Sequence, residues 1–482
     1  MIRSALFTDY YELTMAQGYW KHGLDAGAVF DVFFRRQPFK GGFSVFAGLA
    51  PLLETLESLR FSDDDLAWLE GKAIFEKGFL DYLAGFRFRG DIWAIPEGEI
   101  VFPHEPLMRI HAGLVEAQII EGLVLNTVNF QSLIATKSAR VCLAARDKKV
   151  MEFGLRRAQG EDGAMSASRA AFIGGAMSTS NSLAGKTLGI PVSGTMAHSW
   201  VMAFPSEIEA FRAYATMYPD STTLLIDTYD TLESGLPNAI VVGKELAARG
   251  KRFGVRLDSG DIDYLSRKVR GALDAAGLRD AAIVVSNELD EEIIETLTVE
   301  AAPVNVWGVG THLVTGGDES SFTGVYKLAA VERDGQLQPT MKFSENPEKA
   351  TNPGIKDVYR IFDEAGSPVV DVLMLRSEEL MPGKPATFHH PSLDTRRFVH
   401  VPAGEVVPLL GKVMADGRRI AGPEPLSAMQ ERRVRSMGRF DHTYLRFLNP
   451  HVYRVSISDG LRAMKLGFVE RYLGGKVPKQ AP

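Results

Sequence analysis

The chain of 482 residues contains one cysteine, Cys142, so it can form no internal disulfide and no cysteine-based metal cluster, which fits a reducing compartment. It also lacks an excess of charge of either sign. Its 54 Lys and Arg against 60 Asp and Glu give a net charge of −6, without the basic footprint that nucleic-acid binding requires, so any anion site has to be local. No stretch of about 18 apolar residues is free of charge, which excludes a transmembrane helix from the expectations. The opening MIRSALFTDYYELTMAQGYW has no apolar run behind a basic start, so it is not read as a secretory signal. Low-complexity tracts and recognisable sequence repeats are missing too. The expectation is a soluble, cytoplasmic protein without nucleic-acid or membrane partners. What is present is ordinary for a globular chain, 45% hydrophobic and 24% charged.

Short β-branched or apolar runs recur through the middle of the chain: KKVMEFG (148–154), GIPVSGT (189–195), TTLLIDT (222–228), RFGVRLDSG (252–260), AAIVVSN (281–287), VNVWGVGT (304–311) and GVYKLAAVE (324–332). Between them the apolar residues fall at helical spacing. One segment opens at Ser206 with Glu209 three residues on, the signature of a capping box; another runs from Asp261 to Gly277, a suitable C-cap. Strands and helices alternating at roughly 30-residue intervals predict βαβ units and a parallel sheet. The fold class expected is α/β: an irregular (β/α) barrel of mostly parallel strands, with an additional α+β domain built from N- and C-terminal segments. The boundaries are set at 1–140 (N-terminal α+β), 141–345 (barrel) and 346–482 (C-terminal α+β region packing on the N-terminal domain). The stretch IWAIPEGEIVFPHEPLMRIHA carries prolines and is expected to bend or lie at an edge.

In a barrel of parallel strands, chemistry gathers at the strands' C-terminal ends. Here those ends carry Phe153 to Arg156, Thr195 to Ser199, Asp227, Arg256 to Asp261, Ser286-Asn287 and Gly308 to Thr311. Gly308, Gly310 and Thr311 suit backbone N–H contact with a phosphate, or form an ordinary tight turn. Arg156 and Arg256 suit diphosphate or carboxylate oxygens, or form rim salt bridges. Asp258 is a candidate to hold a divalent cation that bridges phosphates, whereas Asp261 reads as a helix cap. His198 follows a Gly-Thr turn beside Ser199, and Asp227 at the next strand end is expected to reach its ring, fixing the tautomer and freeing the other nitrogen as a nucleophile. No second histidine stands at ligand spacing, so zinc is discounted, and the pair His389-His390 is read as surface.

With these segments laid out, TDYYELTMAQGYW, EFGLRRAQGEDGAMSASRAAFIGG, TSNSLAGKTLGIPVSGTMAHSWV, GVRLDSGD and VWGVGTHLVT resemble the ordered blocks of nicotinate phosphoribosyltransferases, type II phosphoribosyltransferases, and the similarity continues through KFSENPEKATNPGIKDVYR and FLNPHVYR. The resemblance implies a reaction of nicotinate with 5-phosphoribosyl 1-diphosphate that yields nicotinate mononucleotide and diphosphate in NAD biosynthesis. It implies coupling to ATP hydrolysis through a phosphohistidine, Mg²⁺ as cofactor, and a homodimer with active sites at the subunit interface. Carried over by position, His198 is the phosphorylated histidine and Asp227 its orienting carboxylate. Phe153, with Tyr11 of a second subunit, stacks on the base. Arg156 meets the pyridine carboxylate or the phosphoribosyl group. Asp258 binds ribose hydroxyls or Mg²⁺ beside Arg256, and Ser286, Asn287, Gly308, Gly310 and Thr311 hold the 5′-phosphate. Ser178 to Asn181, Ser180 among them, lie where the family turns past the base.

After Gly174-Gly175 relatives often carry an acidic or aromatic residue, where this chain has Ala176-Met177-Ser178. A neutral loop suits an anionic carboxylate and argues for nicotinate over nicotinamide, the substrate of the rival relative. A quinolinate-type enzyme would need several cations around a dicarboxylate and no phosphohistidine, and a catalytically silent nucleotide-binding barrel is the third alternative.

Overall fold

The structure, a computed structural model, describes residues 4–343, 350–381, 383–392, 397–400 and 404–473. Residues 344–349 of the KFSENPEKATNPGIKDVYR motif therefore lie outside the described residues. The chain divides into two compact units: Met1–Leu133 together with Ser321–Pro482, and Ile134–Ser320.

The first unit is built on a seven-stranded sheet ordered Gln336–Pro339, Gly324–Arg333, Gly27–Phe34, Met108–Gly113, Asp91–Ala94, Gly411–Ala415, Arg418–Arg419, antiparallel throughout. The run 324–332, expected among the barrel strands, belongs here, paired antiparallel with Gly27–Phe34. Its apolar pattern specifies a strand but not which partner it finds, and stacking of Phe30 on Tyr326, ring centroids 4.6 Å apart, ties it to this sheet. The proline-bearing stretch bends rather than lying at an edge. It forms Asp91–Ala94, Ile100–Val101 and Met108–Gly113, with Pro96, Pro103 and Pro106 in the connections, where no ladder N–H is needed. A second, six-stranded sheet of this unit carries buried charge. Its strand Lys356–Phe362 turns Lys356, Val358 and Arg360 inward at the period of two that a pleated strand dictates. Lys356 pairs with Asp31 at 2.8 Å and Arg360 with Asp371 at 2.7 Å. His389 is buried in this sheet rather than on the surface, its Nε2 2.6 Å from Asp459.

The second unit holds six parallel strands: β1 (Lys149–Glu152), β2 (Ser178–Thr179), β3 (Thr222–Leu225), β4 (Phe253–Leu257), β5 (Ala282–Asn287) and β6 (Val306–Val309), in the order β2-β1-β6-β5-β4-β3. They form a curled parallel half-barrel, open between β2 and β3 rather than closed. The run 189–195 contributes no strand, only a bridge from Val192 to Thr179. Gly189 sits at φ 69 in the left-handed region and Pro191 has no N–H to donate, so the segment cannot extend a ladder.

Helices α1 (Gly160–Gly174), α2 (Ser182–Leu188), α3 (His198–Met202), α4 (Glu207–Met217), α5 (Leu236–Ala247), α6 (Ile262–Ala275), α7 (Glu291–Val299) and α8 (Thr311–Thr315) make the connections. Asp261 caps α6 by accepting the Tyr264 N–H at 3.0 Å, and Gly277 follows its end at φ 83. Ser206 does precede α4, but the capping box is incomplete: its hydroxyl donates to Glu209 at 3.0 Å instead of accepting a backbone N–H. No helix among the described residues is long and apolar enough to cross a membrane.

Candidate active site

Parallel register brings the polar strand ends of the half-barrel to one level. Val284 of β5 stands opposite Arg256 of β4, and Ser286 opposite Gly308 of β6. Side chains two apart on a strand share a face, so Arg256 and Asp258 project the same way while Val255 and Leu257 are fully buried. The result is a fixed lattice. Arg256 donates through Nε to Ser286 Oγ at 2.8 Å and through Nη1 to Thr195 Oγ1 at 2.8 Å and the Met196 carbonyl at 3.1 Å. Its Nη2 donates to Asp258 Oδ1 at 2.7 Å, and the Ser286 hydroxyl donates to the same oxygen. Most of the guanidinium's five N–H groups are thereby spent on the protein. Arg256 therefore anchors Asp258, the salt bridge of its two expected readings rather than a cation free to meet substrate. Arg156 lies exposed in the short 3₁₀ turn Leu155–Arg157 and makes no ion pair among the described residues.

Burial by itself would push the Asp258 carboxyl upward, but the Ser286 hydroxyl and the Arg256 guanidinium outweigh it and hold the group below the usual carboxylate value. With Oδ1 anchored, Oδ2 is turned to His198, 3.7 Å from Nε2. The expected contact of Asp227 with the His198 ring is not made. His198 Nδ1 lies 3.2 Å from the Thr228 hydroxyl, and Asp227 Oδ2 instead accepts the Asp258 N–H at 3.0 Å and the Ser259 hydroxyl at 2.6 Å. Both residues lie past the end of β3, Thr228 in the bend that follows it, so strand alternation does not decide between them. Thr228 and Thr195 were not singled out as contacts by the residue pattern; a hydroxyl beside a strand-end aspartate is the signal that existed. Trp200 steadies the short helix α3 that carries His198. Its ring packs on Phe204 and Tyr214, centroids 4.9 and 5.9 Å away, and its indole N–H donates to the Ala210 carbonyl at 3.1 Å.

On β6, Gly308 lies inside the strand, not in the turn that was expected to cradle a phosphate. A Cβ there would come within 2.7 Å of the Phe153 ring, so glycine is what lets that ring sit over the sheet end. Gly310 and Thr311 stand at the start of α8, where the Thr311 hydroxyl donates to Glu288 at 3.2 Å. Ser286 is buried and Asn287 is exposed. Ser180 donates its N–H to the Glu152 carbonyl at 2.8 Å. In the loop 174–178, Ala176 is buried, Met177 partly exposed, and the Ser178 hydroxyl is buried with no hydrogen-bond partner. Tyr11 belongs to the other unit, on the helix Tyr10–Lys21; its ring is half exposed, and burial with neighbouring acids pushes its hydroxyl up to about 12.

Two carboxylates, Asp258 with one free oxygen and Asp227 with a buried, unpartnered Oδ1, face this region. No cluster of three or more metal-ligating side chains exists among the described residues. Such a donor set suits Mg²⁺, which takes one or two carboxylates and completes its shell with phosphate oxygens and water.

Comparison with known proteins identifies the family. The N-terminal domain, family and C-terminal domain profiles of nicotinate phosphoribosyltransferase match residues 6–129, 148–363 and 355–465. A nicotinate phosphoribosyltransferase of Bacillus subtilis is 47% identical over 389 residues, 80% of this chain and 79% of that protein. The human protein of that name is 35% identical over 95% of both chains. The crystal structure of human nicotinic acid phosphoribosyltransferase superimposes with a TM-score of 0.85 at 32% identity, covering 95% of this chain and 99% of the other.

Proposed function

The chain belongs to the nicotinate phosphoribosyltransferase family, and from that premise we propose that it joins nicotinate to 5-phosphoribosyl 1-diphosphate at the strand ends of the half-barrel, in a reaction coupled to ATP hydrolysis. The observation that carries the reading is the half-anchored Asp258 beside His198.

The pyridine nitrogen forms its bond to the ribosyl C1 as the bond from C1 to diphosphate breaks, through a centre with oxocarbenium character. The chain's part is to position and to stabilise charge. In this reading Phe153 stacks on the base, with Tyr11 of a second copy on its other face in a homodimer, and Arg156 meets the nicotinate carboxylate. Asn287, Gly310 and Thr311 hold the 5′-phosphate, Ser286 fixes Asp258 instead of meeting the phosphate as expected, and Ser180 flanks the base. Asp258 offers its free oxygen to the ribose hydroxyls or to Mg²⁺. When bound, Mg²⁺ would neutralise charge on the departing diphosphate.

His198 is the acceptor of the ATP γ-phosphoryl group. With the Nδ1 proton donated to Thr228, Nε2 keeps its lone pair; an N–P bond forms there as the P–O bond to ADP breaks. The added charge reorganises the surrounding loops, and hydrolysis to phosphate after turnover favours product release. The single cysteine is consistent with a cytoplasmic setting.

The deciding assay measures mononucleotide formation with nicotinate or nicotinamide, each with and without ATP and Mg²⁺. Turnover of nicotinate, raised by ATP, is expected. Preference for nicotinamide would overturn the base assignment, and full ATP stimulation in His198→Ala would overturn the phosphohistidine role.

A further inference from the structure

Glu152, at the end of β1, is a carboxylate with 1% of its surface exposed and no cation at ion-pair distance among the described residues. A buried carboxylate is costly unless its oxygens are hydrogen-bonded, so its partners indicate what it is for. Those partners come from three separate segments. Oε1 accepts the N–H of Gly154, in the turn that leads from Phe153 to Arg156. Oε2 accepts the Thr179 hydroxyl, at the end of β2, and lies 3.0 Å from the Ser168 hydroxyl of α1. The main-chain carbonyl of Glu152 takes the Ser180 N–H at 2.8 Å. Asn181 extends the set, its side-chain amide donating to Ser168 Oγ at 3.2 Å and its backbone N–H to Thr179 Oγ1 at 2.9 Å. Gly154 packs directly on α8, leaving no room for a side chain: a Cβ there would meet Val314 at 2.2 Å.

We propose that Glu152 is a positioning residue for the pyridine base: its carboxylate fastens the turn bearing Phe153 and Arg156 to the segment bearing Ser180, and so fixes the width of the base slot. The proposal rests on the reading that Phe153 and Arg156 meet nicotinate. The phosphoribosyl end of the site, anchored separately through Arg256, Asp258 and Ser286, does not depend on it.

The test is a KM split. Glu152→Ala is expected to raise KM for nicotinate about tenfold to a hundredfold, the loss of one or two hydrogen bonds to a charged group, while KM for phosphoribosyl diphosphate stays put. Glu152→Gln is expected to restore most of the loss, because its carbonyl can take the Gly154 N–H while the two hydroxyls turn to accept from its amide. Equal rises in both KM values, or a Gln variant as impaired as Ala, overturn the proposal. Should Glu152→Ala fail to fold, Thr179→Val removes one donor at nearly constant shape, and an unchanged nicotinate KM there is equally decisive against it. Phe153→Ala separates the two layers. Unchanged nicotinate KM in that variant sinks the base-slot reading itself, whereas a raised KM there with none in Glu152→Ala sinks only the role of Glu152.

Discussion

The two units use the same charged residues to opposite ends. In the first, charge is sealed. Arg360 is buried and fully engaged, with Asp371 at 2.7 Å, Glu99 at 2.7 Å and the Ile100 carbonyl at 2.8 Å, under the rings of Phe102 and Phe440. In the half-barrel, Arg256 is as fully engaged, yet its partner Asp258 keeps one oxygen free of hydrogen bonds, 3.7 Å from His198 Nε2, and stays partly open to solvent. A carboxylate whose every lone pair is taken holds a fold together. One that is anchored through a single oxygen is held still while it can bind something else. That distinction, rather than charge or burial alone, separates a structural ion pair from a site.

The contrast can be broken in order of effect. Asp371→Ala leaves the buried Arg360 guanidinium with Glu99 as its one remaining carboxylate partner, and is expected to cost about 3 kcal/mol in urea unfolding; a loss below about 1 kcal/mol would erase the contrast. Asp258→Asn keeps an oxygen for Arg256 and Ser286 and replaces the free one with an amide. It is expected to lower kcat/KM about a hundredfold, ~3 kcal/mol, with the unfolding midpoint nearly unmoved. A fall in stability comparable to that of Asp371→Ala would make Asp258 structural as well. The smallest effect is a pH dependence confined to the sealed unit. Burial lowers Lys465 to about 8, while its nitrogen donates to Asn352 at 2.8 Å and to the Pro391 carbonyl at 2.6 Å. Between that value and the unfolded value of about 10.4, the unfolded chain binds a proton that the folded chain does not, so stability rises with pH in this window. The gain is expected to be about 2 kcal/mol between pH 8 and 10. Unfolding of Lys465→Met at both pH values checks it, since the variant should lack that increment relative to the unmutated chain.

Much of this was legible beforehand where local pattern suffices. Strand ends placed Arg256, Asp258, Ser286 and His198 together, and Asp261 read correctly as a cap. What the sequence left open depends on partners chosen across the chain. The run 324–332 is a strand in any reading, but only its pairing with Gly27–Phe34 assigns it to the antiparallel sheet. Asp227 and Thr228 are adjacent in the bend beyond β3, and which of them faces the histidine follows from the path of that bend, not from residue type. Gly308 looked like a phosphate turn because glycine permits close approach; the approaching group is the Phe153 ring. Glu152 went unnoticed because a lone glutamate at the end of an apolar run carries no periodic signal.

The pairing of Gly27–Phe34 also has a consequence for the nascent polypeptide. One edge of that strand is covered as soon as Met108–Gly113 has been made, but the other waits for Gly324–Arg333. From Phe34 to Gly324 the ribosome must add 290 residues (324 − 34), a delay of roughly 15–60 s at bacterial-to-eukaryotic elongation rates. Throughout that interval Phe30 and Phe34 lack the stacking partners Tyr326 and Phe322, while the whole of the half-barrel is translated and free to fold. Co-translational protection of an aromatic strand edge is thus a demand that this chain's order of synthesis places on the cell.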